Sequence, residues 1–310
     1  MNIIINTISI LLISFNIIIA YKNGKKLFKF YREKHQEKQN LKTKINNQKQ
    51  MLNKSLKKLN IIKLQRPIQV QFTEEDLETF NNVIEKMKNK NKDIYTFIQT
   101  LLKVMPKENL KNFIERANDL LIEYHSYRDM PAENGHFISG TYNGVRNAIN
   151  IYFDKNKSVL SHELLHAASS DRKYSQVGFS IIFERAGMVG EGLNEGYTEL
   201  LNQRLFNHQT NSYLYLTLLA EQLEDFYENK EDMVEDYFKA DFGALIGELL
   251  KSMSLEEAID IITDMDLFIH QSNSSFIEYM QLRQKIQDIY VRKFLAEKEE
   301  KAFVKKLSNK

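Results

Sequence analysis

Cysteine is absent from all 310 residues, so the chain carries neither a disulfide framework nor a thiolate metal site. A bias of charge is absent as well: 43 Lys and Arg stand against 41 Asp and Glu, a formal net charge of +2. What positive charge there is gathers near the N-terminus, which argues against a nucleic-acid-binding domain. Charge is missing altogether from Asn2 to Ala20, a run dominated by Ile and Leu. As a helix, Ile3 to Ala20 would be about 27 Å long, enough for the hydrocarbon core of a bilayer. No Lys or Arg precedes the run and no small-x-small cleavage box closes it, so it reads as an uncleaved anchor rather than a signal peptide. Proline and glycine are missing from Glu33 to Leu64, a polar and helix-prone stretch.

These absences divide the chain into a transmembrane anchor over residues 1–21, a basic helical stalk over 22–66 and a domain over 67–310. Lys22, Lys25, Lys26, Lys29, Arg32 and Lys34 follow the apolar run. By the positive-inside rule they keep the C-terminal side, and with it the domain, in the cytoplasm of a single-pass topology. The same charges suit anionic lipid headgroups. In the stalk Ile45, Leu52 and Leu59 recur every seven residues, while Gln48 and Ser55 interrupt the second stripe. The stalk is therefore a candidate for homodimerisation, or a plain spacer.

Pro67 opens the domain. Gln69 to Phe72 reads as a short strand, and Thr73-Glu74-Glu75-Asp76 as the start of a helix reaching Lys90. A second helix follows Pro106 with Leu110, Phe113, Ala117, Leu120 and Leu121 on one face, and His125 at its end reads as structural. Ile149, Ile151 and Phe153 then alternate with Asn150, Tyr152 and Asp154, the pattern of a half-buried strand. Glycines between Asp171 and Glu191 predict a loop or hairpin. Helices resume after Asn211, with further ones at 244–253 and 255–262 and a long one from Phe276 to Lys306. The expected class is α+β, mostly α-helical, with a small sheet.

Chemistry concentrates at Val159–Ala168, V-L-S-H-E-L-L-H-A-A. His162 and His166 stand at i and i+4, about 40° apart around a helix and roughly 6 Å apart along it, so both imidazoles can face one metal ion. Glu163 is turned by roughly 100°, beside the metal rather than on it, where a general base has to stand. Leu164, Leu165, Ala167 and Ala168 let the helix be buried with only its metal face open. Two histidines alone make a weak zinc site, so a third ligand is needed.

Downstream, Gly192-Leu193-Asn194-Glu195-Gly196-Tyr197-Thr198-Glu199 stands out. H-E-x-x-H followed by N-E-G resembles the gluzincin branch of zinc metallopeptidases, the clan of thermolysin-like enzymes and alanyl aminopeptidases. The resemblance implies a zincin-like catalytic domain with Zn2+ held by His162, His166 and Glu195, Glu163 as catalytic base, and peptide or protein as substrate. It also implies that Glu199 orients His162, as metal-bound histidines usually give their second N–H to a carboxylate. In zincins a strand before the metal helix pairs its free edge with substrate, and the strand around Ile149–Phe153 stands in that place. A metzincin would need Gly at 169 and His at 172, where the chain has Ser169 and Arg172. Glu199, Glu191 and Glu184 remain alternative third ligands. His208, Tyr213, Tyr215, Tyr237 and His270 are candidates for stabilising an oxyanion. The contending class is a non-catalytic membrane adaptor, with a lipid-facing stalk and a helical partner-binding domain.

Overall fold

The computed structural model describes residues 29, 32–33, 36, 39–47, 49–50, 73–133, 136–152, 156–171, 176–183, 187–208, 212–270 and 276–308. The apolar run, most of the stalk, the strand expected at Gln69–Phe72 and the candidate ligand Glu184 lie outside them. Among the described residues no helix is long and apolar enough to cross a membrane. Two compact units are distinguished, Met1–Asn46 and Asn47–Lys310. Residues 39–46 of the first are helical. The second is mostly α-helical with small sheets, as the periodicities lead one to expect.

Three helices open it: α1 (Glu74–Lys90), α2 (Lys92–Leu101) and α3 (Lys107–Ala117). Asn91 separates the first two, its side chain accepting the N–H groups of Asp93 and Ile94 at 3.0 and 3.3 Å and so capping α2. Their apolar stripes, among them Ile84, Ile98 and Phe113, are buried in one core. The helix after Pro106 is shorter than its apolar pattern suggests. It ends at Ala117, and Leu121 opens strand β1 (Leu121–Tyr124) instead, where its backbone pairs with the sheet.

A 3₁₀ turn (Tyr127–Asp129) and a two-stranded ribbon, β2 (Ala132–Glu133) with β3 (His136–Phe137), lead to β4 (Gly140–Asn143) and β5 (Ala148–Ile151). The main sheet has the order β1-β5-β4, with β1 parallel and β4 antiparallel to β5. Ile149 and Ile151 are buried, as their alternation predicts. The expectation that this strand offers the free edge is corrected. It is flanked on both sides, and the edge beside the metal helix belongs to β4. His125 packs on the sheet, 3.0 Å from Asn150 Oδ1 and stacked on Tyr152.

Helix α4 (Lys157–Ala168) carries the H-E-x-x-H residues. Four short antiparallel strands follow, β6 (Ser170–Asp171), β7 (Gln176–Val177), β8 (Ser180–Phe183) and β9 (Gly187–Val189), where a loop or hairpin was expected. Then come α5 (Glu191–Phe206), α6 (Leu214–Leu223), a 3₁₀ turn (Glu224–Phe226), α7 (Lys230–Phe238), α8 (Phe242–Leu249), α9 (Leu255–His270) and α10 (Phe276–Ser308). Helix α5 is the hub, packing against α4, α6 and α9. Its Gly196 lies against α6 so closely that a Cβ there would strike the Leu216 carbonyl. The glycine after Asn194-Glu195 is thus a helix-crossing residue.

Candidate metal centre

Asn156 caps α4, its side chain accepting the Ser158 N–H at 3.0 Å. From Leu160 to Ala168 the helix is buried on every side, and α5 is buried from Gly192 to Asn202 except at Glu195. Leu164, Leu165, Leu200 and Leu201 supply apolar packing around both helices. Helices enclosed all round show little amphipathic asymmetry, which is why the chemistry rather than the hydrophobic period marks them.

Where α4 and α5 meet, three side chains converge. His162 Nε2 stands 3.1 Å from His166 Nε2 and 3.1 Å from one oxygen of Glu195. The other Glu195 oxygen is 3.3 Å from His166 Nε2. Among the described residues these three form a group able to hold a metal ion, their donor atoms all within 4.8 Å of one another. A four-coordinate ion with bonds of about 2.0–2.1 Å keeps its ligand atoms about 3.3–3.4 Å apart, close to the spacing seen. Lone pairs aimed at a common point repel one another unless a proton or a cation lies among them. The donor set therefore fits a metal ion.

Two of the three alternative third ligands, Glu199 and Glu191, are placed elsewhere. Glu199, buried, meets the other nitrogen of the ring, its Oε2 3.0 Å from His162 Nδ1. Accepting the Nδ1–H there leaves Nε2 with a free lone pair for a metal. Glu191 pairs with His270 at 3.0 Å. Asn194 is not among the converging donors. Its Oδ1 accepts the Phe179 N–H at 3.1 Å and its amide nitrogen lies 3.3 Å from His166 Nδ1, tying the turn between β7 and β8 to helices α4 and α5.

Burial pulls the His162 pKa down. The hydrogen bonds to Glu195 and Glu199 and the nearby carboxylate charges outweigh it, raising the pKa to about 10. Burial pushes Glu195 up, but the charge of His166 and hydrogen bonds from both histidines hold it well below the usual carboxylate range. Glu163 goes the other way. Burial raises it, with the two histidines and the Tyr142 N–H pulling back. The pocket thus carries a negative field that favours a positive charge among the ligand atoms.

Strand β4 lies directly over Glu163. A Cβ on Gly140 would come within 2.6 Å of Val159 Cγ1 and 2.9 Å of Glu163 Oε1. The Tyr142 backbone N–H lies near enough to the Glu163 carboxylate to pull its pKa down. Tyr152 N–H bonds Ser139 O at 2.9 Å, and the alternation of an antiparallel ladder from that pair turns the N–H of Tyr142 away from β5.

Of the five oxyanion candidates, Tyr213 is at the metal centre. Its ring stacks on His162 with centroids 5.8 Å apart, and the charge of Glu195 raises its pKa well above the ordinary value. Its φ of 53° is an unusual conformation for a bulky side chain and sits at the N-terminus of α6. The others are occupied elsewhere: His208 with Ser161, Tyr237 with Thr198, Tyr215 in an aromatic stack with Tyr279, and His270 with Glu191. Sequence reading passed over Gly140, Tyr142, Ser161 and Asn202. A glycine and a backbone N–H supplied by a strand distant in sequence carry no local pattern that could have found them.

No protein-family description, curated protein or solved structure matches the chain.

Proposed function

We propose that the chain is a zinc metallopeptidase of the gluzincin type, with a zincin-like catalytic domain that hydrolyses peptide bonds. The observation that carries this reading is the convergence of His162, His166 and Glu195 beside Glu163, under the edge of β4. Zinc held by these three residues supplies Lewis acidity toward a carbonyl and a water molecule. Glu163 takes a proton from the attacking water and hands it to the leaving amine, and burial, which raises its pKa, suits it to carry that proton. Tyr213 donates its hydroxyl hydrogen to the oxygen on which charge develops. The β4 edge accommodates an extended peptide backbone and lays it across the base. Residues 1–21 anchor the enzyme in a membrane and the basic flank from Lys22 keeps the metal centre cytoplasmic.

Glu163→Gln tests the mechanism. The variant is expected to retain one zinc per chain and to lose hydrolysis by at least about 10²–10⁴-fold, since the base goes and the ligands stay. Peptide cleavage by that variant at the wild-type rate would refute the mechanism.

A further inference from the structure

Behind the metal ligands lies a second polar assembly centred on Asn202, fully buried on α5. Its Nδ2 lies 3.3 Å from Glu199 Oε2, 3.1 Å from Ser158 O and 3.2 Å from Ser158 Oγ. Its Oδ1 accepts the Ser161 hydroxyl at 2.5 Å and lies 3.3 Å from His208 Nδ1. The surroundings fix which way the amide points. The Ser158 carbonyl and the Glu199 carboxylate only accept, so the nitrogen must face them. One side chain thereby satisfies the backbone of α4, a hydroxyl of α4 and the carboxylate that orients His162.

We infer that Asn202 is a positioning residue: resting on the zinc-peptidase reading, it holds the Glu199 carboxylate against His162 Nδ1 and so fixes His162 Nε2 toward the metal. Glu199 is three residues before Asn202, and that spacing puts both on one face of α5. Glu199 also meets Gln203 Nε2, at 3.3 Å through its other oxygen. Asn202 links the carboxylate to the helix that carries His162, through the Ser158 carbonyl and hydroxyl. Without Asn202, Glu199 gains rotational freedom, His162 loses its fixed orientation, and affinity for the metal falls although every ligand remains.

The test is zinc affinity of the full chain, by competition with a chromogenic chelator, for wild type, Asn202→Ala, Glu199→Ala and the double variant, at a temperature where circular dichroism shows each folded. Asn202→Ala is expected to bind zinc about 10-fold more weakly and Glu199→Ala about 10–100-fold more weakly. The double variant should bind no more weakly than Glu199→Ala, because Asn202 acts through Glu199. Wild-type affinity in Asn202→Ala, or a loss that adds in full to that of Glu199→Ala, overturns the inference. If Asn202→Ala does not fold, Ser161→Ala releases the same amide more gently. A loss of affinity that vanishes in the Glu199→Ala background supports the inference, and unchanged affinity overturns it. Wild-type protein that takes up no zinc would sink the peptidase reading together with this one, whereas zinc uptake without these couplings sinks this one alone.

Discussion

Glu163, the proposed base, is buried, and its neighbours set its ionisation and its position. Burial raises its pKa, while the two histidines and the Tyr142 N–H draw it down. Gly140 leaves it room: even one methyl group there would press on Val159 and on Glu163 itself. Gly140→Ala is therefore expected to lower kcat by about 10²-fold through displacement of the base, with zinc content unchanged. Steady-state kinetics beside metal analysis checks this, and an unaltered kcat would mean that β4 does not govern the position of Glu163. The contrast between these two residues shows what a sequence discloses. His162, Glu163 and His166 are legible because helical geometry fixes their relation within one turn. The role of Gly140 depends on where a distant strand lands, and no local spacing encodes it.

Among the elements, α5 carries the heaviest load, and its N-terminus is clamped by α9. Asp266 accepts the Gly190 N–H at 2.9 Å and the Gly192 N–H at 2.8 Å. Burial nevertheless raises its pKa to about 7, against the pull of those two N–H groups, with Glu191 adding to the rise and His270 opposing it. A carboxyl whose folded pKa lies above its unfolded value favours the protonated form in the fold. Its stabilising contribution is full below about pH 4 and is lost as pH rises through about 7, a change on the order of 2–4 kcal/mol. Urea unfolding of wild type and Asp266→Asn at pH 5 and pH 8 isolates this group, since other titrations are common to both proteins. Wild type should lose more stability between the two pH values than the variant, and equal losses would show that Asp266 does not titrate there. Part of the helical order was legible: α1 and α10 follow their patterns and α6 and α8 fall where apolar residues return, whereas α9 runs past the expected 255–262 to His270 and α2 and α7 were not expected. The misreadings have a common cause. Leu120 and Leu121 continue the helical stripe of α3, yet backbone pairing with β5 claims Leu121 for the sheet. Likewise the alternation at Ile149–Ile151 reports burial of one face, not whether the strand is central or at an edge.

At the scale of the whole unit, the proposed ligands join two helices that are already packed together. His162 and His166 come from α4 and Glu195 from α5, while Leu164, Leu165, Leu200 and Leu201 sit in the same buried core as the remaining helices. Small zinc domains unfold without metal because they have no such core. Here the core is independent of the ligands, so removal of metal should loosen the unit without unfolding it. Linkage sets the size of the effect. Zinc at about 1,000 times its Kd adds about 4 kcal/mol, which for a domain of this class corresponds to a Tm shift on the order of 10 °C. Chelation of the purified protein should therefore leave its far-ultraviolet circular dichroism intact at 25 °C and lower its Tm by that amount. Added zinc should restore it. Glu195→Ala should be insensitive to both treatments over the same concentration range, because two histidines alone bind too weakly to shift the equilibrium. Unfolding of wild type on chelation at 25 °C would show that the metal, not the apolar packing of α4 against α5, holds the unit together.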